Sequence, residues 1–221
     1  MAQIFHPSFN TLSKVSIVAG GIVALMGVGY AALLFNRSPY VTQVQVVREQ
    51  PVPFSHDHHV GGIGIDCRYC HTTVEVAASA GMPPTKTCMS CHSQVWKDSP
   101  TLEPVRASYR DDKSLEWVRV HDNPDFVYFN HSVHLKKGVG CESCHGRVDK
   151  MPLMWRENTL NMEWCLACHR QPESFLRPRS EIYTMGWDPE AALGKSQAEL
   201  GLELKQEYNV KSLTNCSICH R

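Results

Sequence analysis

The sequence has 221 residues with 22 basic and 22 acidic side chains, so its formal net charge is zero. A nucleic-acid partner would need a basic excess gathered on one face, and this balance argues against one. Ten cysteines in a chain of this length call for a disulfide framework, a metal site or a covalent cofactor.

The first element is a run of 21 uncharged residues, 15–35, bracketed by Lys14 and Arg37. About 20 apolar residues cross a bilayer as a helix. A cleaved signal peptide would have a shorter apolar stretch and an A-x-A pattern at its end, which this run lacks. Residues 1–36 are therefore expected to form a short cytoplasmic tail and a single permanent span. Lys14 on one side and Arg37 and Arg48 on the other give no bias in orientation. Gly20, Ala24, Gly27 and Ala31 place small residues at spacings of three and four. That spacing admits a close neighbouring helix and is equally ordinary glycine usage in a membrane span.

Beyond the span, residues 51–95 and 126–171 read as two copies of one module. The first opens with Phe54-Ser-His56-x-x-His59 and continues with Cys67-x-x-Cys70-His71 and Cys88-x-x-Cys91-His92. The second opens with Phe129-Asn-His131-x-x-His134 and continues with Cys141-x-x-Cys144-His145 and Cys165-x-x-Cys168-His169. A further segment, 180–221, ends in Cys216-x-x-Cys219-His220. Every cysteine lies in a C-x-x-C-H unit. Two thiols at this spacing add across the vinyl groups of a haem, and the histidine that follows binds the iron. Zinc sites do not require a histidine after each cysteine pair, a thioredoxin-like motif would occur once, and disulfides impose no histidine at all. The pattern predicts five covalent haem c groups.

The histidine pairs that open each module are the candidate second ligands. Residues i and i+3 on a helical turn share a side yet can reach different irons. His59 is expected to serve the haem of His71, and His134 that of His145, with His56 and His131 reaching other haems. His121 is the candidate for the fifth position, after a short strand expected over residues 117–120. Met82 and Met151, each before a proline, are the alternatives, and a thioether ligand would raise that haem's potential. His58 reads as a spacer, and His6 precedes the span.

Residues 37–221 offer too little chain for five haems and a conventional apolar core, so the porphyrins should serve as core. The expected fold is mostly irregular, with short helices and little sheet. One longer helix is expected over residues 188–208, capped by Asp188, with Pro189 in its first turn and Leu193, Leu200 and Leu204 as its apolar stripe. Arg68, Arg119, Arg147 and Arg170 could pair with haem propionates or lie in solvent.

Irons with two strong protein ligands have no open position and pass electrons without binding substrate. The chain is thus expected to be an electron carrier without a catalytic site of its own. The F-x-H-x-x-H element resembles the small class III multihaem cytochromes. The anchor with PFSHDHHVGGIGIDCRYCH, the stretch WVRVHDNPDFVYFNHSVHLKKGVGCESCHGRV, and LNMEWCLACHR together resemble the pentahaem cytochrome c subunits of alternative complex III, over most of residues 10–180. That resemblance implies menaquinol oxidation in a complex with an iron–sulfur subunit, polytopic quinol-binding subunits and a mono-haem cytochrome c. Haem attachment of this kind places residues beyond 36 on the outer side of the bacterial inner membrane. The anchored tetrahaem quinol dehydrogenases of nitrite and nitrate respiration are the rival reading, with one haem fewer. Pentahaem nitrite reductases carry a C-x-x-C-K motif, whereas all five motifs here end in histidine.

Overall fold

The computed structural model describes residues 4–220. It divides into two units, Met1–Val44 and Gln45–Arg221. The first is dominated by helix α1, Ser8–Arg37. Its 30 residues rise about 45 Å, enough for a hydrocarbon core of about 30 Å. Its side chains are exposed on every side, and it is long and apolar enough to be a candidate membrane span.

The second unit has no strand among the described residues, and Val139 and Leu176 form an isolated bridge. Short helices joined by loops make up the rest, as the scarcity of chain per cofactor predicted. The longer ones are α2 (Thr85–His92), α3 (Glu103–Asp111), α4 (His131–Lys136), α5 (Met162–Arg170) and α6 (Gln197–Glu207). Asn130 caps α4 by accepting from the Val133 amide. The apolar interior is split into three small clusters. Val52, Leu102 and Val105 pack with Cys88 and Met89. Val74, Leu135 and Ile182 pack with Cys141. Leu176, Leu200, Leu204 and Tyr208 form the third. Two of the three clusters thus end on an attachment cysteine.

The helix expected over residues 188–208 is two helices. Pro189–Leu193, capped by the Asp188 carboxylate, stops at Gly194 in a left-handed conformation with φ 66°. Ser196 then opens α6 with a capping box, its side chain and that of Glu199 each accepting from the other's amide. A glycine stop followed at once by a capping-box start outweighs the apolar periodicity across them. Leu200 and Leu204 are buried, whereas Leu193 is exposed. The strand expected over residues 117–120 is not formed. The Gln50 side chain satisfies this stretch instead, donating to the Val118 carbonyl at 2.9 Å and accepting from its amide at 3.0 Å.

Helix α6 lies on the turn Pro172–Ser174, just after α5. Gln197 donates to the carbonyls of Glu173 (3.1 Å) and Leu176 (2.8 Å), and Lys205 pairs with Glu173 at 2.7 Å. A Cβ on Gly201 would run into the Glu173 carbonyl. Gly201→Ala gains about 1 kcal/mol of helix propensity but should lose roughly 1–3 kcal/mol to the clash, for a net destabilisation. Guanidinium unfolding followed by tryptophan fluorescence checks this, and an unchanged or higher midpoint would contradict it.

Candidate haem-binding sites

The duplicated F-x-H-x-x-H elements fold alike. Phe54 stacks on His59 with ring centres 4.4 Å apart and meets His56 edge-on at 4.9 Å. Phe129 stacks on His134 at 4.5 Å and meets His131 edge-on at 4.7 Å. One phenyl ring therefore sets two imidazoles nearly perpendicular to each other in both copies. The turns themselves differ: Asp57–Gly62 is a π-helical turn, whereas His131–Lys136 is an α-helix.

Seven imidazoles give Nδ1 to a backbone carbonyl. His59 donates to Ser55 (2.7 Å), His71 to Gly81 (2.8 Å), His92 to Val95 (3.0 Å) and His131 to Ala78 (2.8 Å). His134 donates to Asn130 (2.7 Å), His169 to Leu213 (2.8 Å) and His220 to Phe126 (3.0 Å). A carbonyl oxygen only accepts, so each Nδ1 carries the hydrogen and each Nε2 keeps its lone pair. This is the tautomer that a metal ligand needs, and the same bond raises its basicity. Four of the seven are motif histidines.

The three other candidate ligands, His56, His121 and His145, are half-buried. Burial, then the neighbouring His121, His131, His71 and His56 imidazoles, push His145 down to about 3. Burial and the nearby His71 and His59 push His56 down to about 4, and burial with Arg156 and His131 does the same for His121. All three are neutral at physiological pH. His56 Nδ1 and His121 Nε2 are buried without a hydrogen-bond partner. A buried polar atom left bare is costly, and a bound metal offsets that cost.

Ring spacing sorts the histidines further. Two imidazoles on opposite sides of one metal ion, each bonded at about 2 Å, hold their ring centres roughly 6 Å apart. His59 lies 6.2 Å from His92, His131 lies 6.3 Å from His145 with rings 12° from parallel, and His134 lies 6.2 Å from His169. His59 and His134 thus lie beside the second-motif histidines of their modules. His121 sits 4.3 Å from His145, too close for both to flank one iron.

None of the ten thiols is in a disulfide. The thiols fall into neighbouring groups. Cys67 lies against Cys141, Cys70 near Cys88, Cys144 near Cys165 and Cys168, and Cys165 near Cys219. Burial pushes the Cys144 thiol up to about 12. Of the alternative thioether ligands, Met151 is packed in the interior at 1% exposure, whereas Met82 is exposed. Protein carboxylates already engage two of the arginines considered for propionates. Arg68 holds Asp66 through two nitrogens (2.9 and 2.8 Å), and Arg147 holds Asp149 likewise (2.8 and 2.6 Å). Arg119 is exposed beside Asp122 at 3.8 Å, and the Arg170 carbonyl accepts from Ser212. Arg106 was not legible in the sequence. It sits on α3, which packs on the motif helix α2, and its Nη1 is buried without a partner.

The phenyl clamp generates a test. Phe129→Ala frees the His131 and His134 rings, so the low-spin electron paramagnetic resonance signals of two irons should broaden or shift while the others stay. An unchanged spectrum would show that the clamp does not orient the ligands.

The family described as cytochrome c7 and related cytochrome c matches residues 52–107 and 127–221, which takes in all five C-x-x-C-H motifs. The multihaem cytochrome c subunit of a menaquinone reductase from Nitratidesulfovibrio vulgaris is 31% identical over 159 residues, covering 62% of this chain and 76% of that protein. Covalent haem c follows from the family, and the free thiol pairs and Nδ1-tethered imidazoles suit it. The chain belongs to the cytochrome c7 and related cytochrome c family.

Proposed function

We propose that the chain is a membrane-tethered electron-transfer subunit that carries five haem c groups and links a quinol-oxidising complex to an acceptor outside the inner membrane. The observation that carries this reading is the repeated site. Five C-x-x-C-H motifs use every cysteine, and four of their histidines are set by a carbonyl at Nδ1 to bind through Nε2.

Ligands are assigned from ring spacing. His59 pairs with His92, His131 with His145 and His134 with His169. Ring spacing gives His56 and His121 no partner, and both remain candidate second ligands. The ten cysteines would hold the porphyrins, and haem supplies one-electron chemistry when bound. The protein's part is to fix the imidazoles. Two histidines on each iron leave no place for a substrate.

The relative from N. vulgaris is named as a subunit of a menaquinone reductase, so a link to the quinone pool suits this chain too. We read the direction here as quinol oxidation. By its sequence resemblance to the alternative complex III subunits, its partners would be an iron–sulfur subunit, polytopic quinol-binding subunits and a mono-haem cytochrome c. Helix α1 then acts as a single-pass anchor that keeps the haem unit beside the membrane.

The test is purification from membranes in mild detergent, followed by subunit identification, haem counting and near-infrared spectroscopy. The expected result is five haems on this chain, no methionine-to-iron charge-transfer band, and co-purified polytopic and iron–sulfur subunits whose haems are reduced by menaquinol. A chain that comes off alone and itself oxidises menaquinol would make it a stand-alone quinol dehydrogenase. Haems that are oxidised by menaquinone, and not reduced by menaquinol, would reverse the direction.

A further inference from the structure

We infer that the attachment motifs form one unbranched series in space, in the order His92, His71, His145, His169, His220, with the duplicated modules joined through their first motifs. The inference rests on the five-haem reading and adds the order of the sites to it.

The junction carries the argument. Each module's histidine turn sits on the other module, on the segment that follows that module's first motif. In one direction, Asp57–Gly62 packs on Val148–Lys150, and the Asp57 amide donates to the Met151 carbonyl at 3.1 Å. Gly61 lies against the Asp149 carbonyl, where a Cβ has no room. In the other direction, the His131 amide donates to the Ala78 carbonyl at 3.1 Å and the Ser132 amide to Ala77 at 3.2 Å. The His131 ring adds its Nδ1 bond to the same Ala78 carbonyl at 2.8 Å. The same pair of patches is thus exchanged both ways, which is the signature of an isologous, two-fold contact, here between two copies in one chain.

In such a contact, elements near the axis meet their own counterparts. Cys67 and Cys141, the first cysteines of the two first motifs, lie against each other. Val74, just after His71, shares an apolar cluster with Cys141, Leu135 and Ile182. Arg68, inside the first motif, lies 4.4 Å over the ring of Tyr183, which packs against that cluster. The second motifs are then displaced to the flanks.

Hydrogen bonds link the flanks to the centre. Tyr69 Oη and Ser90 Oγ are 2.8 Å apart, joining the two motifs of the first module. In the second module, Asn158, on the approach to α5, donates to the Cys144 carbonyl at 3.3 Å. The fifth segment attaches beyond. His169 donates to the Leu213 carbonyl at 2.8 Å, and Ser212 donates to the Arg170 carbonyl at 3.3 Å. The Tyr128 amide reaches the Cys219 carbonyl at 2.8 Å, which fixes the fifth motif to the second module. A series has two ends, so the donor and the acceptor meet the chain at the His92 and His220 sites, and the module junction is a crossing that every electron makes.

A cryo-electron-microscopy structure of the haem-loaded chain in its native complex tests this through the ranking of iron–iron distances. The shortest distance between modules should join the irons of His71 and His145, and the iron of His220 should have that of His169 as its nearest neighbour. A shortest inter-module distance through His92 or His169, or a fifth iron next to that of His92, would overturn the order while leaving the five-haem reading intact. Fewer than five irons would refute that reading instead, and the junction would still stand or fall on the His71–His145 pair.

Discussion

The bond between an imidazole Nδ1 and a backbone carbonyl is the interaction on which the rest of this molecule depends. It decides which nitrogen keeps its lone pair, and so whether a histidine can bind a metal at all. It also does tertiary work. His131 reaches 53 residues back to Ala78, His169 reaches 44 forward to Leu213, and His220 reaches 94 back to Phe126. These bonds tie segments that no sheet and no large apolar core would otherwise hold together. Ligand placement and chain folding are therefore one event in the haem-binding unit.

The divided interior follows from the same economy. Three small apolar clusters replace a single core, and two of them end on Cys88 and Cys141. The third, built by Leu176 with α6, has no attachment cysteine and is braced by the Lys205–Glu173 pair and the Gln197 bonds. It secures the turn after α5 and thereby the start of the path to the last motif. Attached porphyrins would supply the apolar mass that the side chains lack.

Much of the site was legible because thioether chemistry is local. Two cysteines and a histidine must fall within one turn, so the motif survives in one dimension. The candidate second ligands were legible as residue types through the duplicated F-x-H-x-x-H element, whereas the spacing of their rings was not. Which motif His59 or His134 faces depends on how the loop between motifs folds back, and no local spacing records that. The fold class was readable from the scarcity of chain. The break near Gly194 was written in Gly194, Ser196 and Glu199, but the leucine periodicity across it suggested one helix. The expected strand over residues 117–120 failed because its edge bonds are taken by the single side chain of Gln50. The phenyl clamp was present in the motif from the start, and only the rings' angles reveal its role.

The central claim is that the haem-binding unit folds around what its histidines hold. It is tested most directly by making the chain with and without the cellular machinery that attaches haem, then comparing backbone hydrogen exchange and small-angle scattering. The account predicts that the loaded chain is compact and protected through both modules. The haem-free chain should be expanded, with protection confined to α1 and the cluster around Leu176 and α6. A haem-free chain with the same radius and the same protected amides would contradict it, because the polypeptide alone would then be shown to carry its own core.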